Sequence, residues 1–399
     1  MWFALVLTGL AALTVSGLYV RRRLTGALAT LGAPPRAISV MRWAMAWLMW
    51  GFPLVLTISI VLAIALGWPT IPRYDGLWAS RLLGLPFILT VLVVLQSVLW
   101  VLAIDVAYLV VRARRGAAAA IRARGIAVLA VVGAFALYTP IRIVAERGVV
   151  RLRHHQVGRG SGAPLRIAFL ADVQQDVFTD GDRAREIYAR VNAERPDLVL
   201  SGGDWINTGP DYIESAAAAA GTLASRLGTF SVHGDHEHFA YRDRTRSVDE
   251  VVRAMQAHHV AMLDNEVRWF DHDGKRIGVL FLNYNYIVRT DHARIEALVA
   301  QLAKADYAIV VTHQFDAKLA AAVEGKVDLV LAGHTHGGQV NPVVGVCHVA
   351  LARLETPFVD GRYALGARTT AIVTSGIGYS VVPIRYAAPG SIEIIDLTP

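Results

Sequence analysis

The sequence predicts an α/β domain preceded by an all-α membrane domain of four transmembrane helices, and three observations predict it. The first is a set of apolar runs long enough to cross a bilayer: Trp2 to Val20, Ala44 to Trp68, Leu85 to Val111, and Gly125 to about Ile141. The second is charge. Residues 1–150 hold 14 Arg, no Lys and 3 acids, whereas the remainder holds 25 Lys and Arg against 29 Asp and Glu. The third is the alternation, from Pro164 onward, of short apolar runs with helical patterns, the signature of a layered α/β domain. A mean hydropathy of +0.43 over 399 residues agrees with a divided chain, too apolar for an ordinary soluble enzyme and too polar for a pure transporter.

The helical half comes first. Five Arg lie between Arg21 and Arg42 and five between Arg112 and Arg124, while the loop around Arg73 and Arg81 carries two. The positive-inside bias therefore makes the first and third connections cytoplasmic and puts the N-terminus, the middle loop and everything after residue 145 outside. Positive charges follow the first apolar run instead of preceding it, so that run is expected to be a reverse anchor and not a cleaved signal. Asp105, inside the third run, is expected to make an interfacial ion pair or to pack in the bundle, with Arg112 two helical turns on. The sequence pI of 9.6 belongs to this half and gives no sign of nucleic-acid binding. Residues 151–163, RLRHHQVGRGSGA, read as a flexible tether with His154 and His155 solvated, so the expected division is 1–145 membrane, 146–163 linker and 164–399 catalytic domain.

In the second half, polar residues follow the apolar runs in a repeated way. LRIAFL is followed by ADVQQD, DLVLSGG by DW, GTFSVHG by DHEH, YAIVVT by HQ, and VDLVLAG by HTHGGQ. In open α/β sheets, sites form at the carboxyl ends of strands, so Asp172, Asp204, Asp235, His313, His334 and His336 are candidates for one cluster. Each Asp alone reads as a helix cap or turn former; five coincidences favour a dinuclear site, with carboxylates bridging two cations and imidazoles completing their coordination. The single cysteine, Cys347, excludes an intrachain disulfide and cysteine-rich zinc sites. There is no GxxxxGK loop and no seryl nucleophile elbow, which leaves kinase, NTPase and α/β-hydrolase readings without support.

The order Asp-x-(His), Gly-Asp, Gly-(Asn)-His-Glu, His, Gly-His-Thr-His-Gly-Gly-Gln resembles the calcineurin-like metallophosphoesterase superfamily, with closest similarity to its bacterial membrane-associated branch. The closing TSGIGYSVVPIRYAAPGSIEIIDL is similar to that branch as well. The resemblance covers about residues 164–398 and implies a four-layer αββα metallophosphoesterase sandwich. It implies that Asp172, Gln174 and His336 hold one divalent metal ion, that Asp204 bridges two, and that Asp235, His313 and His334 hold the second. It also implies that His236 stands near the leaving group and that Glu237 orients it. Two positions depart from the pattern: Gln174 replaces the usual histidine and Asp235 the usual asparagine. A glutamine carbonyl is a weak, hard donor, so the first position should shift from zinc toward manganese or magnesium, with iron a further alternative; Asp235 adds a charge that attracts cations.

These readings imply a membrane-anchored, metal-dependent hydrolase of a phosphodiester, phosphomonoester or pyrophosphate, soluble or lipid-linked. They place it as a multi-pass protein of a bacterial inner membrane, with the C-terminal domain periplasmic and no nucleic-acid partner, since that domain is net acidic. The alternative, resting on Gln174, is a catalytically impaired binding or sensing module of the same fold. Arg385 is expected either to touch substrate phosphate or to make a structural ion pair. Asp176 is expected to cap the following segment, and His233 and His238 to be ordinary loop residues.

Overall fold

A computed structural model describes residues 2–66, 80–158, 160, 162–380 and 382–398, with side chains described for all of these except 2–7, 80 and 81. The chain divides into two compact units, Met1–Ala145 with Pro342–Val349, and Glu146–Asn341 with Ala350–Pro399.

The first unit contains helices α1 (Trp2–Thr30), α2 (Pro35–Ala65), α3 (Leu85–Arg115) and α4 (Ala117–Glu146). Small and unbranched residues such as Ala27, Met45 and Met49 fill its narrow core beside Val20, Val94, Val101 and Val128. Its outer faces display Trp43, Ile64, Val106 and Val144 to the surroundings, which is unfavourable in water and satisfied by lipid. Three spans, Pro35–Ala65, Leu82–Arg115 and Ala117–Glu146, are long and apolar enough among the described residues to cross a membrane. Three of the four expected spans are thus met among the described residues. The first expected run forms part of α1, and its opening residues lie outside those whose side chains are described. The expected outside loop at Arg73, and the side chain of Arg81, also lie outside the described residues. Asp105 pairs with Arg23 at 2.5 Å and accepts from Tyr19 at 2.5 Å, with Arg124 3.8 Å away, so its partners come from α1 and α4 and not from Arg112.

The second unit is built on two six-stranded mixed sheets. Its strands are β1 (Val150–Gly158), β2 (Leu165–Leu170), β3 (Leu198–Ser201), β4 (Thr229–Ser231), β5 (Val260–Met262), β6 (Glu266–His272), β7 (Lys275–Leu282), β8 (Tyr307–Thr312) and β9 (Leu329–Ala332). A short hairpin, β10 (Val343–Val344) and β11 (Cys347–His348), belongs to the first unit; β12 (Gly361–Leu365), β13 (Thr369–Val373) and β14 (Gly390–Thr398) complete the second. One sheet runs β1-β14-β2-β3-β4-β5 and the other β12-β13-β9-β8-β7-β6.

Why four layers form is visible in the strands, where alternate residues point to opposite faces. Ile167 and Phe169 of β2, Val279 and Phe281 of β7, and Leu329 and Leu331 of β9 share one core between the sheets. Ala168 and Leu170 instead face α5 (Gly181–Ala193), α6 (Ile213–Ala220) and α7 (Arg244–Ala257). Leu280, Leu282, Val330 and Ala332 face α8 (His292–Gln301) and α9 (Ala317–Val323). Strands buried on both faces read as continuous apolar runs, and the result is the expected αββα sandwich. Asp180, Asp243, Asp291 and Asp316 accept backbone N–H bonds at the starts of α5, α7, α8 and α9, each worth about 1 kcal/mol.

The expected tether is corrected. Residues 150–158 are an edge strand paired in parallel with β14, from Val150 opposite Gly390 to Gly158 opposite Thr398. Charge and histidine hide this strand in the sequence, yet such residues suit an edge that must not recruit another chain. His155 is not solvated: its Nε2 lies 2.7 Å from the buried Glu393 carboxylate.

Candidate metal centre

Strand ends position every candidate. The segments after β2, β3, β4, β8 and β9 bring Asp172, Asp204, Asp235, His313 and His334 to one place, with Asp204, Asp235 and His313 drawn from both sheets. The backbone there is unusual: Asp172, Gln174, Asp204, His334 and His336 all have φ between 44° and 74°, a left-handed conformation costly for residues with a Cβ. Five such residues in one cluster mark a site where geometry outweighs local strain. Gly234 is required for a different reason, since a Cβ at that position would strike the Asp204 carboxylate.

Two overlapping groups have donor atoms within 4.8 Å of one another, Asp235–His313–His334 and Asp172–Asp204–His313. In the first, His334 Nδ1 is 3.1 Å from Asp235 Oδ2 and 3.2 Å from His313 Nε2, and His313 Nε2 is 3.3 Å from Asp235 Oδ2 and 3.5 Å from Asp204 Oδ2. Donors about 2.1 Å from one ion would stand roughly 3.0 Å apart in an octahedron and roughly 3.4 Å apart in a tetrahedron, so these spacings are those of a coordination sphere. Both tautomers are set from outside. His313 Nδ1–H donates to Gly202 O at 2.8 Å, which turns the Nε2 lone pair inward; His334 Nε2 lies 3.1 Å from Glu355 Oε1 and 2.9 Å from the Gln314 amide nitrogen, and a proton given to the carboxylate turns the Nδ1 lone pair inward. Acceptors then face acceptors, an arrangement that needs a shared cation or a proton.

Without a cation the proton supplies the balance. Burial lowers His334, but hydrogen bonds to Asp235 and Glu355 outweigh it and raise the ring to about 9. Burial likewise opposes protonation of His313, yet Asp204 and Asp235 hold it well above the usual histidine range. Asp235 is pulled well below the carboxylate range by the same two rings, against the effect of burial. Asp172 moves up to about 6, chiefly by burial.

The Asp172 side is arranged differently. Asp172 accepts from the His334 amide at 2.9 and 3.0 Å, and His336 Nε2 is 4.0 Å from its Oδ1. Gln174 donates to Asp204 Oδ2 at 3.0 Å, which leaves its Oε1 buried with no partner; His336 Nδ1 is buried and unpartnered too. A carbonyl oxygen and an imidazole nitrogen are thus both hidden and both capable of coordination on residues of the Asp172 side, although His336 belongs to neither group of close donors.

His236 lies at the edge of the cluster, its side chain 17% exposed and its Nε2 3.9 Å from Asp204 Oδ2. The expectation that Glu237 orients this ring is corrected. Fully buried Glu237 accepts from the amides of Asp204, Trp205 and Gly234 at 3.0, 2.7 and 2.6 Å, bracing the loops that carry Asp204 and Asp235. Burial, with Asp204 nearby, raises its carboxyl to about 7. His236 is oriented instead by the Asn207 carbonyl, which pairs with Nδ1, while Asn207 Nδ2 donates to Asp176 at 2.8 Å. Asp176 spends its other oxygen on the amides of Phe178 and Thr179 and does not reach the metal groups. Arg385 is buried and gives its guanidinium to the carbonyls of His336, Gly378 and Ala388, a structural role filled by hydrogen bonds in place of the expected ion pair. His233 and His238 are buried loop residues, each with an unpartnered Nε2.

Sequence reasoning missed Glu355 and Tyr286. Tyr286 packs edge-on against the His334 ring at 4.9 Å, and its amide donates to Asp235 at 2.6 Å. It follows β7 in LFLNYNY, so the strand-end rule would have found it; Glu355, in ARLETPF, carries no such signal.

Comparison with known proteins matches residues 165–338 to the calcineurin-like phosphoesterase family. An uncharacterized metallophosphoesterase of Campylobacter jejuni is 30% identical over 237 residues, 58% of this chain and 59% of that protein. One of Helicobacter pylori is 28% identical over 240 residues, 59% of this chain and 60% of that protein. A transmembrane protein with metallophosphoesterase domain from Bos taurus is 29% identical over 245 residues, 58% of this chain and 53% of that protein. The chain thus matches about three-fifths of the length of the first two relatives and about half of the third.

Proposed function

From a chain that carries a calcineurin-like phosphoesterase domain over residues 165–338, we propose a membrane-anchored hydrolase that cleaves phosphoesters with two divalent cations, manganese foremost. The observation that carries this reading is the inward-facing set of Asp204, Asp235, His313 and His334, with donor spacings of 3.1–3.5 Å that match one coordination sphere. Asp235, His313 and His334 would hold one ion, Asp172, Gln174 and His336 the other, and Asp204 would lie between them. When bound, such ions lower the pKa of water and neutralise charge on the phosphoryl oxygens.

The chain's own residues do the rest. Gly202, Glu355 and Tyr286 fix the two rings and the carboxylate that meet at the centre. Glu237 ties the Asp204 and Asp235 loops together through three amides, so the carboxylates keep their separation during turnover. His236, held by Asn207, presents Nε2 at the exposed edge, where it is placed to give a proton to the departing oxygen. The water oxygen bonds to phosphorus as the ester P–O bond breaks, and a proton from that water restores the ring, so the products are an alcohol and a phosphate or phosphate monoester. With Arg-rich segments Arg21–Arg42 and Arg112–Arg124 cytoplasmic, the domain faces the periplasm of a bacterial inner membrane.

The test is hydrolysis of bis(p-nitrophenyl) phosphate by the full chain in detergent, stripped of metal and then supplied with Mn²⁺. Metal-dependent turnover is expected, and His236→Ala should lower it by about 10²–10⁴-fold while metal content is unchanged. Metal uptake without turnover on any phosphoester would instead favour the binding-module reading.

A further inference from the structure

Exposed large apolar side chains are unevenly placed in the second unit. Among its described residues they are Val177, Phe239, Tyr286, Leu351 and Leu354, and each touches, or is a near neighbour in sequence of, a residue of the metal centre or one that positions it. Val177 follows Asp176, which holds Asn207. Phe239 packs edge-on against His236 at 5.4 Å, and Tyr286 against His334 at 4.9 Å. Leu351 and Leu354, 55% and 72% exposed, lie with their side chains outward on the turn just before Glu355, the partner of His334. A polar centre whose carrying segments also hold the unit's exposed large apolar side chains, among the described residues, suits a ligand of the same two-part character.

The chain that runs into Leu351 says which ligand. The turn at Leu351 emerges from the β10–β11 hairpin, which belongs to the helical unit. There Val343 N donates to Gln96 Oε1 at 3.2 Å and Gly345 O accepts from Trp100 Nε1 at 3.2 Å, both partners lying well inside the apolar span Leu82–Arg115. Val346 is 84% exposed at the hairpin tip and Val349 follows it. A segment docked on the side of a membrane-crossing helix shares the lipid around that helix.

We propose that the rim formed by Leu351, Leu354 and their neighbours takes the apolar chain of a membrane lipid whose phosphoester occupies the metal centre. This inference rests on the phosphoesterase reading and specifies its substrate class as a lipid phosphoester, in preference to a soluble one.

The test compares methyl and hexadecyl 4-nitrophenyl phosphate, both in mixed detergent micelles, as substrates of the full-length, Mn²⁺-loaded protein. In each the same bond breaks: water oxygen bonds to phosphorus, 4-nitrophenolate departs, and an alkyl phosphate remains. The expected kcat/KM for the hexadecyl ester is about tenfold or more above that for the methyl ester. The double variant L351S/L354S, at two exposed positions, should lose most of that preference while its methyl-ester turnover stays within about twofold of the parent. Equal kcat/KM on the two esters, or a preference that survives L351S/L354S, overturns the lipid proposal and leaves phosphoester hydrolysis standing. Hydrolysis of neither ester overturns the phosphoesterase reading, and this proposal with it.

Discussion

The two sides of the candidate metal centre are built to different tolerances. On one, Asp235, His313 and His334 stand 3.1–3.3 Å apart, their tautomers set by Gly202 and Glu355, and protons on the rings can balance the charge when no cation is bound. On the other, His336 and Asp172 are 4.0 Å apart, and the Gln174 carbonyl and His336 Nδ1 are buried without partners. The difference teaches that a site can be preorganised by cancelling its own repulsions or left open at the cost of unsatisfied polar atoms. The closed side should bind a cation tightly and the open side weakly, because Gln174 contributes a neutral oxygen where an imidazole is usual in the family it resembles.

The sharpest way to break this contrast is to remove the residue common to both groups. His313→Ala takes a donor from each and leaves Asp204 and Asp235 facing one another. Turnover should fall on the order of 10³-fold, about 4 kcal/mol of barrier, with both ions weakened in a metal titration. Loss of only the weaker ion would mean that His313 does not serve the closed side.

A smaller effect concerns protons. With the His334 ring raised to about 9 by Asp235 and Glu355, the metal-free protein holds that proton at pH 7. A folded-state pKa above the ordinary histidine value stabilises the metal-free fold at pH below that ordinary value, and the contribution is lost as pH rises through about 9. Metal binding has the opposite sign, since a cation must displace the proton. Calorimetry of Mn²⁺ binding in buffers of different ionisation enthalpy should therefore show proton release at pH 7, and affinity that climbs until about pH 9. No release at pH 7 would mean that His334 is already neutral.

The smallest expected change sharpens the contrast instead of breaking it. Gln174→His should tighten the open side by about tenfold and leave turnover equal or higher, read from a Mn²⁺ activation curve. A clear loss of activity would assign Gln174 a specific role beyond weak coordination.

How far the sequence disclosed this site follows from what each residue does. Asp172, Asp204, Asp235, His313 and His334 were legible because a buried strand announces its own end, and the next polar residue must sit at the sheet's carboxyl edge. Tyr286 obeys the same rule after β7 but is less legible, because a neutral phenol is not among the usual ligands of divalent cations. Glu355 and the Asn207 carbonyl were not legible: one arrives on a turn with no periodic pattern, the other is a main-chain atom that every residue carries. Glu237 was legible as important but not in its task, because the sequence cannot say whether a carboxylate next to a histidine bonds its ring or the loops around it. Strand β1 escaped because charged side chains on an edge strand imitate those of a linker.

The claim of two unequal cation positions is tested most directly by titrating the metal-stripped, full-length protein with Mn²⁺, following binding by electron paramagnetic resonance and bis(p-nitrophenyl) phosphate turnover in the same samples. The account predicts two binding events per chain, the first tight and the second weaker, with a spin-coupled signal and turnover both appearing as the second position fills. A single binding event, or full turnover at one equivalent of metal, would contradict it.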